Sequence, residues 1–301
     1  MQLEHSLKRK WNSSPILILG RGYIGLQMEG YLLSQGYKVL AINRNEVDYH
    51  DYSLFRKTIL NNGIGLVINC SGFTGRPNVD RAEIEKELCW KLNVVSPLQV
   101  ATACDDFGVP LIHISSGCIY NGYAKDFTEE DTPNFGIYDV SSFYSKSKHA
   151  LETLTTRMDI KILRIRMPVC HELTNPRNYL NKITKYKNLI NYRNSKTFIP
   201  DLCGFINALI TSDVSWIGQD IYNVVNPNPL TTKEVVGILN LDENNFFNMN
   251  PNWVEMDDID IVAPRSNCVL DGTKASKYYR MRTETEVLWT IINQKNGVKA
   301  A

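Results

Sequence analysis

A tyrosine and a lysine four residues apart have the types and spacing for proton transfer. Tyr144-Ser-Lys-Ser-Lys148 lies in a stretch with helical periodicity, and residues four apart in a helix share a face. We expect the Lys148 ammonium to favour the phenolate form of Tyr144 and so bring its pKa, ordinarily about 10, into range for proton transfer. Ser116 ends an apolar run, Leu111 to Ser115, and its hydroxyl could bind the same substrate oxygen.

A glycine-rich turn upstream predicts a dinucleotide site. The pattern Gly20-x-Gly22-x-x-Gly25 follows the apolar run 16–19 and opens a stretch with helical periodicity. Glycines there permit a tight turn and let the backbone approach a pyrophosphate, which the free N–H groups of the helix stabilise. Because glycine loops also join packed elements without any ligand, this prediction depends on the elements around the turn.

The end of the second predicted strand favours one cofactor. Sites selective for NAD usually place Asp or Glu there to bind the ribose 2′-hydroxyl, whereas this chain reads Ala41-Ile-Asn43-Arg44. Arg44, with Arg21, could pair with a 2′-phosphate, so we expect NADPH or NADP rather than NAD. The alternative is that Arg44 is a solvated loop charge.

Alternating strands and helices must position these residues. Strands are predicted at 16–19, 38–42, 66–69, 110–115 and 161–166, and helices at 26–35, 52–60, 142–157 and within 80–107. Short apolar strands that alternate with helices indicate the α/β class, with a Rossmann-type doubly wound parallel sheet.

The second half of the chain differs from the first in composition and in the length of its predicted elements. Beyond Met167-Pro168, asparagine and proline are frequent and the predicted elements are short. We therefore expect an NADP-binding Rossmann domain over 14–168 and a smaller, loop-rich substrate-binding domain over 169–301. A helix at 202–210 and a strand at 221–225, within 200–226, are expected to return to the sheet.

Composition excludes several classes of protein. There are 33 basic and 32 acidic side chains, for a formal net charge of +1, so neither nucleic acid nor a membrane surface is an expected partner. The seven cysteines contain no Cys-x-x-Cys pair and indicate reduced thiols in a cytoplasmic compartment. The start of the chain has no apolar stretch, and no run approaches the roughly 18 apolar residues of a membrane span.

No metal is expected, because the five histidines have no metal-ligand spacing. His113 lies inside an apolar strand and is expected to be a buried core residue with satisfied hydrogen bonds.

Six segments carry a resemblance to a known family. Together with the Ser116, Tyr144 and Lys148 pattern of short-chain dehydrogenase/reductases, they resemble the bifunctional UDP-4-dehydro-6-deoxy-glucose 3,5-epimerase/4-reductases of UDP-rhamnose synthesis. More distantly, the chain is similar to the dTDP-4-dehydrorhamnose reductases. The similarity runs from about residue 15 to about residue 277. The segments are Gly72-Phe-Thr-Gly-Arg-Pro-Asn-Val-Asp80, Ser116-Gly-Cys-Ile-Tyr120, Phe143-Tyr-Ser-Lys-Ser-Lys148, Arg164-Ile-Arg-Met-Pro168, Asn175-Pro-Arg-Asn178 and Val262-Ala-Pro-Arg-Ser-Asn267.

Two features depart from the family pattern. The glycine turn is one residue shorter than the usual Gly-x-x-Gly-x-x-Gly, and Ser116 stands where the family often has threonine, which keeps the hydroxyl.

The resemblance implies conversion of UDP-4-dehydro-6-deoxy-D-glucose to UDP-L-rhamnose by 3,5-epimerisation and NADPH-dependent reduction of the C4 ketone. It implies Ser116, Tyr144 and Lys148 as the reductase residues. Cofactor contacts are expected at Gly20, Arg21, Gly22, Tyr23, Ile24, Gly25, Asn43, Arg44, Cys70, Ser71, Gly72, Asn93, Tyr144, Lys148 and Met167. Substrate contacts are expected at Thr74, Arg76, Asn78, Cys118, Asn178, Lys182 and Arg265.

Cys118 and Lys182 match the epimerase pair of that family. A thiol is a suitable acid and base near neutral pH when cations lie nearby. The alternatives are that Cys118 is a small buried hydrophobe and that Lys182 is a surface charge like Lys185 and Lys187.

Three other functions remain open. The nearest is a 4-reductase without epimerase activity, and another is a non-catalytic NADP-binding regulatory subunit, because the regulatory subunit of methionine adenosyltransferase resembles the same reductases. A dehydratase is disfavoured, because Gly117-Cys118 stands where that chemistry usually places an Asp-Glu pair. The expected partners are a UDP-sugar substrate and an upstream 4,6-dehydratase as a separate protein. A homodimer and the choice between UDP and dTDP stay open.

Overall fold

The computed structural model describes residues 14–76, 78–137, 140–244 and 246–297. The polar start of the chain, Pro77 of the Gly75-Arg-Pro-Asn78 segment and residues 298–301 of the predicted second domain lie outside the described residues.

A six-stranded parallel sheet forms the centre of the fold. Its strands are β1 (Ile16–Leu19), β2 (Val39–Ile42), β3 (Leu66–Asn69), β4 (Leu111–Ser116), β6 (Ile160–Ile165) and β10 (Asp220–Asn223). Their order across the sheet is β10-β6-β4-β3-β1-β2, and every neighbouring pair is parallel. The order reverses at β1 and β3, so a crevice opens at the carboxyl ends of these two strands.

Helices cover both faces of the sheet, which confirms the predicted fold class. Met28 and Leu32 of α1 (Tyr23–Ser34) pack with Leu202 and Phe205 of α8 (Ile199–Thr211) on one face. Helices α2 (Tyr52–Asn62) and α5 (Ser96–Asp106) pack on the other face. The helices are α1 (Tyr23–Ser34), α2 (Tyr52–Asn62), α3 (Arg81–Ile84), α4 (Lys86–Trp90), α5 (Ser96–Asp106), α6 (Phe143–Leu154), α7 (Tyr179–Lys185), α8 (Ile199–Thr211), α9 (Thr232–Leu239), α10 (Thr273–Ser276) and α11 (Glu284–Lys295).

The long helix expected within 80–107 is broken into pieces. Glu85 has non-helical backbone angles, with φ −104° and ψ 54°, and separates α3 from α4. A π-helical turn, Lys91–Val95, then joins α4 to α5 and contains the buried Asn93. Because such a turn holds an extra residue, it changes which side chains face the sheet, and such turns are frequent at functional sites.

The second half adds small paired strands and a separate apolar cluster. Helices α7, α9 and α11 share this cluster, which includes Leu180, Val235 and Leu288. Strand β10 and helix α8 come from this half and join the central sheet and its cover. The pairs are β5 (Gly122–Phe127) with β12 (Cys268–Leu270), β8 (Asn188–Ile190) with β11 (Asn252–Val254), and β7 (Pro168–Val169) with β9 (Thr197–Phe198). A 3₁₀ helix spans Met256–Asp258.

Across the described parts of the chain, no helix is long and apolar enough to cross a membrane.

Candidate active site

The glycine turn has the close packing that a dinucleotide site needs. Gly20 has φ +90°, and a Cβ there would lie 2.9 Å from the Ser71 Cα. A Cβ on Gly25 would lie 2.0 Å from the Gly20 carbonyl oxygen, so α1 packs directly against the turn. Gly22 precedes α1, and among the described residues no side chain caps the helix and no atom other than those of its chain neighbours lies within 4 Å of a Cβ at Gly22. Open space before the uncapped N–H groups of a helix fits a pyrophosphate.

An ion-pair group that the sequence did not predict joins the glycine turn and α1 to the loop after β2. Arg21 contacts Glu29 at 3.2 Å and Glu46 at 3.9 Å. Glu46 also accepts a hydrogen bond from the Asn43 backbone N–H at 2.7 Å. Arg44 is exposed, and no ion pair to it is found within the described residues. Arg44 therefore has the freer guanidinium for a phosphate, while Arg21 is held by two carboxylates.

Asn93, a predicted cofactor contact, has a structural role that the sequence did not indicate, and its contact with the cofactor stays a prediction. Its side chain is fully buried, and Nδ2 donates to the Ser147 Oγ at 3.0 Å and to the Phe73 carbonyl oxygen at 2.9 Å. Oδ1 accepts from the Phe73 N–H at 2.8 Å. Asn93 therefore fixes the loop after β3 against α6.

The loop after β3 places Cys70, Ser71 and Gly72 beside the glycine turn. Ser71 Oγ donates to the Asn69 Oδ1 at 2.6 Å, which holds the start of the loop on its strand. A Cβ on Gly72 would lie 3.4 Å from the Lys148 Nζ. The predicted cofactor loop and the predicted catalytic lysine are therefore in contact.

Ser116, Tyr144 and Lys148 lie together, as their spacing suggested. Ser116 is the last residue of β4, and Tyr144 and Lys148 lie on α6, whose first turn is capped by Ser142. All three side chains are buried, and the Lys148 Nζ lies 5.9 Å from the centre of the Tyr144 ring.

Burial sets the protonation of this group. It raises the pKa of Tyr144, Cys118 adds to the rise, and a hydrogen bond with Ser116 opposes it. Burial also lowers the pKa of Lys148 to about 8. The expected lowering of the Tyr144 pKa by Lys148 is therefore wrong for this arrangement, because the loss of solvation outweighs it. A protonated phenol is the form that donates a proton.

Cys118 lies in the same cluster. Its side chain packs with Tyr144, Ala82 and Cys89, and its backbone N–H donates to the Ser116 Oγ at 3.2 Å. The Arg166 Nη1 lies 3.7 Å from the Cys118 Sγ. Cys118 is half-buried, so its thiol differs from a closed core cysteine.

Lys182 lies on α7 within a group of cations. Burial lowers the pKa of Lys182, and the charges of Arg177 and Arg265 add to this effect. Arg177 was not predicted as a site residue. Its Nη1 donates to the Thr74 Oγ1, and burial, followed by the charge of Arg76, lowers the pKa of Arg177. The signal in the sequence was its place inside the Asn175-Pro-Arg-Asn178 segment.

Arg265 and Asn78 meet at Asp80. Arg265 donates to both carboxylate oxygens of Asp80, at 2.7 and 3.0 Å, and Asn78 Oδ1 accepts from the Asp80 N–H at 2.9 Å. The Arg265 guanidinium lowers the pKa of Asp80. These contacts hold the segment around Ala263 against the start of α3. Substrate binding by Arg265, Asn78 and the exposed Thr74 and Arg76 stays a prediction.

The structure gives Asn178 a different role from the predicted one. It is fully buried and caps α7, with Oδ1 accepting from the Leu180 N–H at 3.1 Å. Its Nδ2 donates to the carbonyl oxygens of Cys170 and Glu172. Because every polar atom of the side chain is used, Asn178 shapes the start of α7, and its contact with the substrate stays a prediction.

Met167 is half-buried and has φ +34° immediately before Pro168. A positive φ in a residue other than glycine is strained and is common at functional sites.

His113 is buried, but its expected hydrogen bonds are absent. Neither ring nitrogen has a partner among the described residues, and the same is true of the Asn69 Nδ2 on the neighbouring strand. Burial, with the charge of Lys148, lowers the pKa of His113 well below its ordinary value. The ring is therefore neutral.

Comparison with known proteins assigns the chain to a family. The protein-family model described as RmlD substrate binding domain matches residues 14–196. A bifunctional dTDP-4-dehydrorhamnose 3,5-epimerase/dTDP-4-dehydrorhamnose reductase from Arabidopsis thaliana is 34% identical over 246 residues, which are 78% of this chain and 79% of the relative. A trifunctional dehydratase, epimerase and reductase from the same plant is 35% identical over 71% of this chain, which spans only 32% of that relative.

Solved structures show the same fold. The L780 UDP-rhamnose synthase of Acanthamoeba polyphaga mimivirus has a TM-score of 0.82 at 23% identity and covers 93% of this chain and 99% of that chain. The dTDP-4-dehydrorhamnose reductase of Bacillus anthracis in complex with NADP has a TM-score of 0.79 at 20% identity, with the same coverage.

The parallel sheet and the glycine turn define the class, an α/β fold that matches Rossmann-type reductase structures. The chain belongs to the RmlD-like family and is a nucleotide-sugar reductase of the dTDP-4-dehydrorhamnose reductase type.

Proposed function

We propose that this chain converts UDP-4-dehydro-6-deoxy-D-glucose to UDP-L-rhamnose by epimerisation at C3 and C5 and reduction of the C4 ketone with NADPH. The observation that carries the proposal is the contact of Cys118 with the reductase group. Cys118 binds Ser116 through its backbone and packs against Tyr144. A group able to move protons therefore lies beside the groups that would hold the ketone oxygen.

The ketone makes both epimerisations possible. Hydrogens at C3 and C5 are next to the C4 carbonyl, so a base can remove each one and leave its electron pair in an enolate. Ser116 and Tyr144 would donate hydrogen bonds to the enolate oxygen. Cys118 and Lys182 are the proposed groups that remove a proton and return one to the opposite face. Burial lowers the pKa of Lys182, which favours its neutral, basic form.

The same oxygen then receives a proton in the reduction. A nicotinamide cofactor, when bound at the glycine turn, supplies the hydride for C4. Tyr144 donates its phenolic proton to the C4 oxygen, and burial keeps the phenol protonated until then. Lys148 lies beside the ring and can return a proton to the phenolate.

Local cations support a substrate with a diphosphate. Arg76 lies in the loop after β3, Arg177 lies just before α7, and Lys182 lies on α7. Besides burial, the charge of Arg76 lowers the pKa of Arg177, and the charge of Arg177 lowers the pKa of Lys182. Arginine binds phosphate oxygens through two parallel N–H groups, so we assign the diphosphate to this group. The names of the plant relatives include both dTDP and UDP sugars, and a 4,6-dehydratase is the class of reaction that supplies such a ketone.

The test supplies UDP-4-dehydro-6-deoxy-D-glucose and NADPH in deuterated water, with NMR of the product. We expect UDP-L-rhamnose with deuterium at C3 and C5. Cys118→Ala should lose this incorporation and still reduce an already epimerised ketone. If Cys118→Ala incorporates deuterium at both positions at the wild-type rate, the assignment of Cys118 is wrong.

A second pair of variants isolates the reduction. Tyr144→Phe should lower NADPH oxidation by roughly 100-fold or more, because the acid is removed. Tyr186→Phe makes the same chemical change at an exposed position and should leave the rate unchanged.

A 4-reductase without epimerase activity is the alternative. It predicts turnover only with the already epimerised ketone and no deuterium incorporation from wild type.

A further inference from the structure

Arg166 is a buried cation directly behind Cys118. It follows β6, and its side chain is 2% exposed. Nη1 donates to the Gly117 carbonyl oxygen at 3.2 Å, to the Ser266 Oγ at 2.8 Å and to the Cys118 Sγ at 3.7 Å. Nη2 donates to the Asn194 Oδ1 at 2.7 Å and to the Ser266 carbonyl oxygen at 3.0 Å. The guanidinium is therefore fixed against the thiol from two sides.

No carboxylate from the part of the chain that the structure describes binds this guanidinium. A buried guanidinium is normally paired with a carboxylate, because an uncompensated charge is costly at low dielectric. Arg164, two residues earlier and equally buried, follows this rule and donates to Glu152 at 2.7 and 3.0 Å. Among the described residues, by contrast, every hydrogen-bond partner of Arg166 is a neutral carbonyl, amide, hydroxyl or thiol.

The groups that could become the missing anion are thiols and phenols. The groups able to form an anion that act on Arg166 include Cys268, Cys118, Tyr123 and Tyr144. Lys196, which is paired with Glu284, is a second cation whose pKa is lowered by burial and also by the Arg166 charge. Burial raises the pKa of Cys268, of Tyr144 and of Tyr123, the last to about 12. Cys268 has no exposed surface, whereas Cys118 is half-buried and lies beside Ser116 and Tyr144. Cys118 is therefore the acid that is both next to the cation and open to the site.

Other charges around Cys118 do not replace Arg166. Tyr144 and Lys148 face the thiol from α6, and Cys268 faces it from β12. Burial lowers the pKa of Lys148 to about 8, so Lys148 loses its charge within the range in which a thiol titrates. A guanidinium stays charged throughout this range.

We propose that Arg166 is a positioning residue whose buried charge stabilises the Cys118 thiolate, so that Cys118 can act as a base in epimerisation. The inference rests on the proposed function and deepens it. The thiolate takes a proton from the carbon next to the ketone, and the electron pair of the C–H bond stays in the enolate. The resulting thiol returns a proton to carbon or loses it to solvent, so the step needs no oxidant or reductant.

The first test measures the thiolate without any activity assay. Alkylation of Cys118 by iodoacetamide is followed across pH by mass spectrometry of its peptide. In the folded wild type we expect the midpoint to lie below that of the same cysteine in urea, because a fixed positive charge beside a thiol favours its ionised form. An equal or higher midpoint in the folded chain would overturn the inference, and this comparison needs no variant to fold.

Two substitutions then assign the effect to Arg166. Arg166→Met should raise the Cys118 midpoint, and Arg166→Lys, which keeps a charge, should restore part of the shift. Cys268→Ala is the matched control, since it removes a neighbouring thiol and should leave the Cys118 midpoint unchanged. A midpoint that is the same in Arg166→Met and in wild type contradicts the inference.

Deuterium incorporation at C3 and C5 separates this inference from the proposed function. In Arg166→Met the rate of deuterium incorporation at neutral pH should fall roughly tenfold or more and recover as pH rises. A merely structural role for Arg166 would not make the rate recover with pH. An unchanged pH profile overturns the role of Arg166 and leaves the epimerase function standing. No incorporation by wild type, together with an Arg166-dependent midpoint, overturns the epimerase function and leaves the charge relationship standing.

Discussion

Asn93 binds both backbone polar groups of Phe73. Its Oδ1 accepts the Phe73 N–H at 2.8 Å, and its Nδ2 donates to the Phe73 carbonyl oxygen at 2.9 Å. The same Nδ2 also donates to Ser147 on α6, next to Lys148. One side chain from the π-helical turn therefore fixes the distance between the cofactor loop and the catalytic helix.

Asn93→Leu should lower both stability and cofactor affinity. The substitution leaves the Phe73 N–H and carbonyl oxygen without their partner, which costs about 1–3 kcal/mol of unfolding free energy. Urea unfolding followed by circular dichroism measures the loss, and NADPH titration measures the affinity. Asn62→Ala, which removes an exposed bond to the Thr58 carbonyl oxygen, should change stability by less than about 0.5 kcal/mol. Equal effects of the two variants would contradict the role given to Asn93.

Gly25→Ala should abolish tight cofactor binding, because its Cβ would lie 2.0 Å from the Gly20 carbonyl oxygen and displace the turn. Gly30→Ala changes a glycine on the same helix where no atom lies within 4 Å, so it is the matched control. We expect Gly30→Ala to bind NADPH normally and to gain about 0.5–1 kcal/mol of stability, since alanine favours a helix. Isothermal titration calorimetry with NADPH measures the affinity of both variants. Normal binding by Gly25→Ala would refute the packing argument.

Lys148→Met should change how stability depends on pH. Burial lowers the pKa of Lys148 to about 8 from 10.5, so between these values the unfolded chain binds more protons than the folded one. The contribution of Lys148 to wild-type stability therefore rises with pH across this window and is lost as pH falls through about 8. Across the whole window the free energy of unfolding changes by about 3 kcal/mol, since a shift of one pKa unit corresponds to about 1.4 kcal/mol.

Urea unfolding of wild type and Lys148→Met at pH 7.5 and pH 10.5 measures that difference. The exposed Lys187→Met is the control and should show no such window. A stability difference between wild type and Lys148→Met that does not vary with pH would show that Lys148 titrates normally.

Arg44→Ala tests the cofactor preference. Arg44 is exposed and is the candidate partner of a 2′-phosphate, whereas Arg21 is held by Glu29 and Glu46. We expect the KM for NADPH to rise roughly tenfold or more while the KM for NADH stays constant, because a charge-assisted hydrogen bond is lost. An unchanged ratio of the two KM values in Arg44→Ala would exclude this assignment.

The strands and helices around the sheet could be predicted because each one depends on a pattern among residues that are close in the sequence. Four apolar residues before Gly20 indicated β1, and helical spacing placed Tyr144 and Lys148 on one face of α6. The single long helix expected within 80–107 is broken at Glu85 and at the π turn, and the side chain of Asn93 in that turn binds the distant Phe73 and Ser147. Nothing near Asn93 in the sequence indicates that Phe73, 20 residues away, needs its side chain.

By itself the sequence determined the fold class, the glycine turn and the placement of Tyr144 and Lys148 on one helix, since each rests on spacing within one strand, turn or helix. Tertiary structure alone decided which polar groups are used for the fold and which face the site. It closed Asn178 and Asn93 inside the protein and brought Arg177 to Thr74, 103 residues away. It also placed Arg166 against Cys118, where no carboxylate from the described ranges binds the guanidinium. Charge balance in a buried site depends on what packs around each group, and that is settled only when distant strands meet.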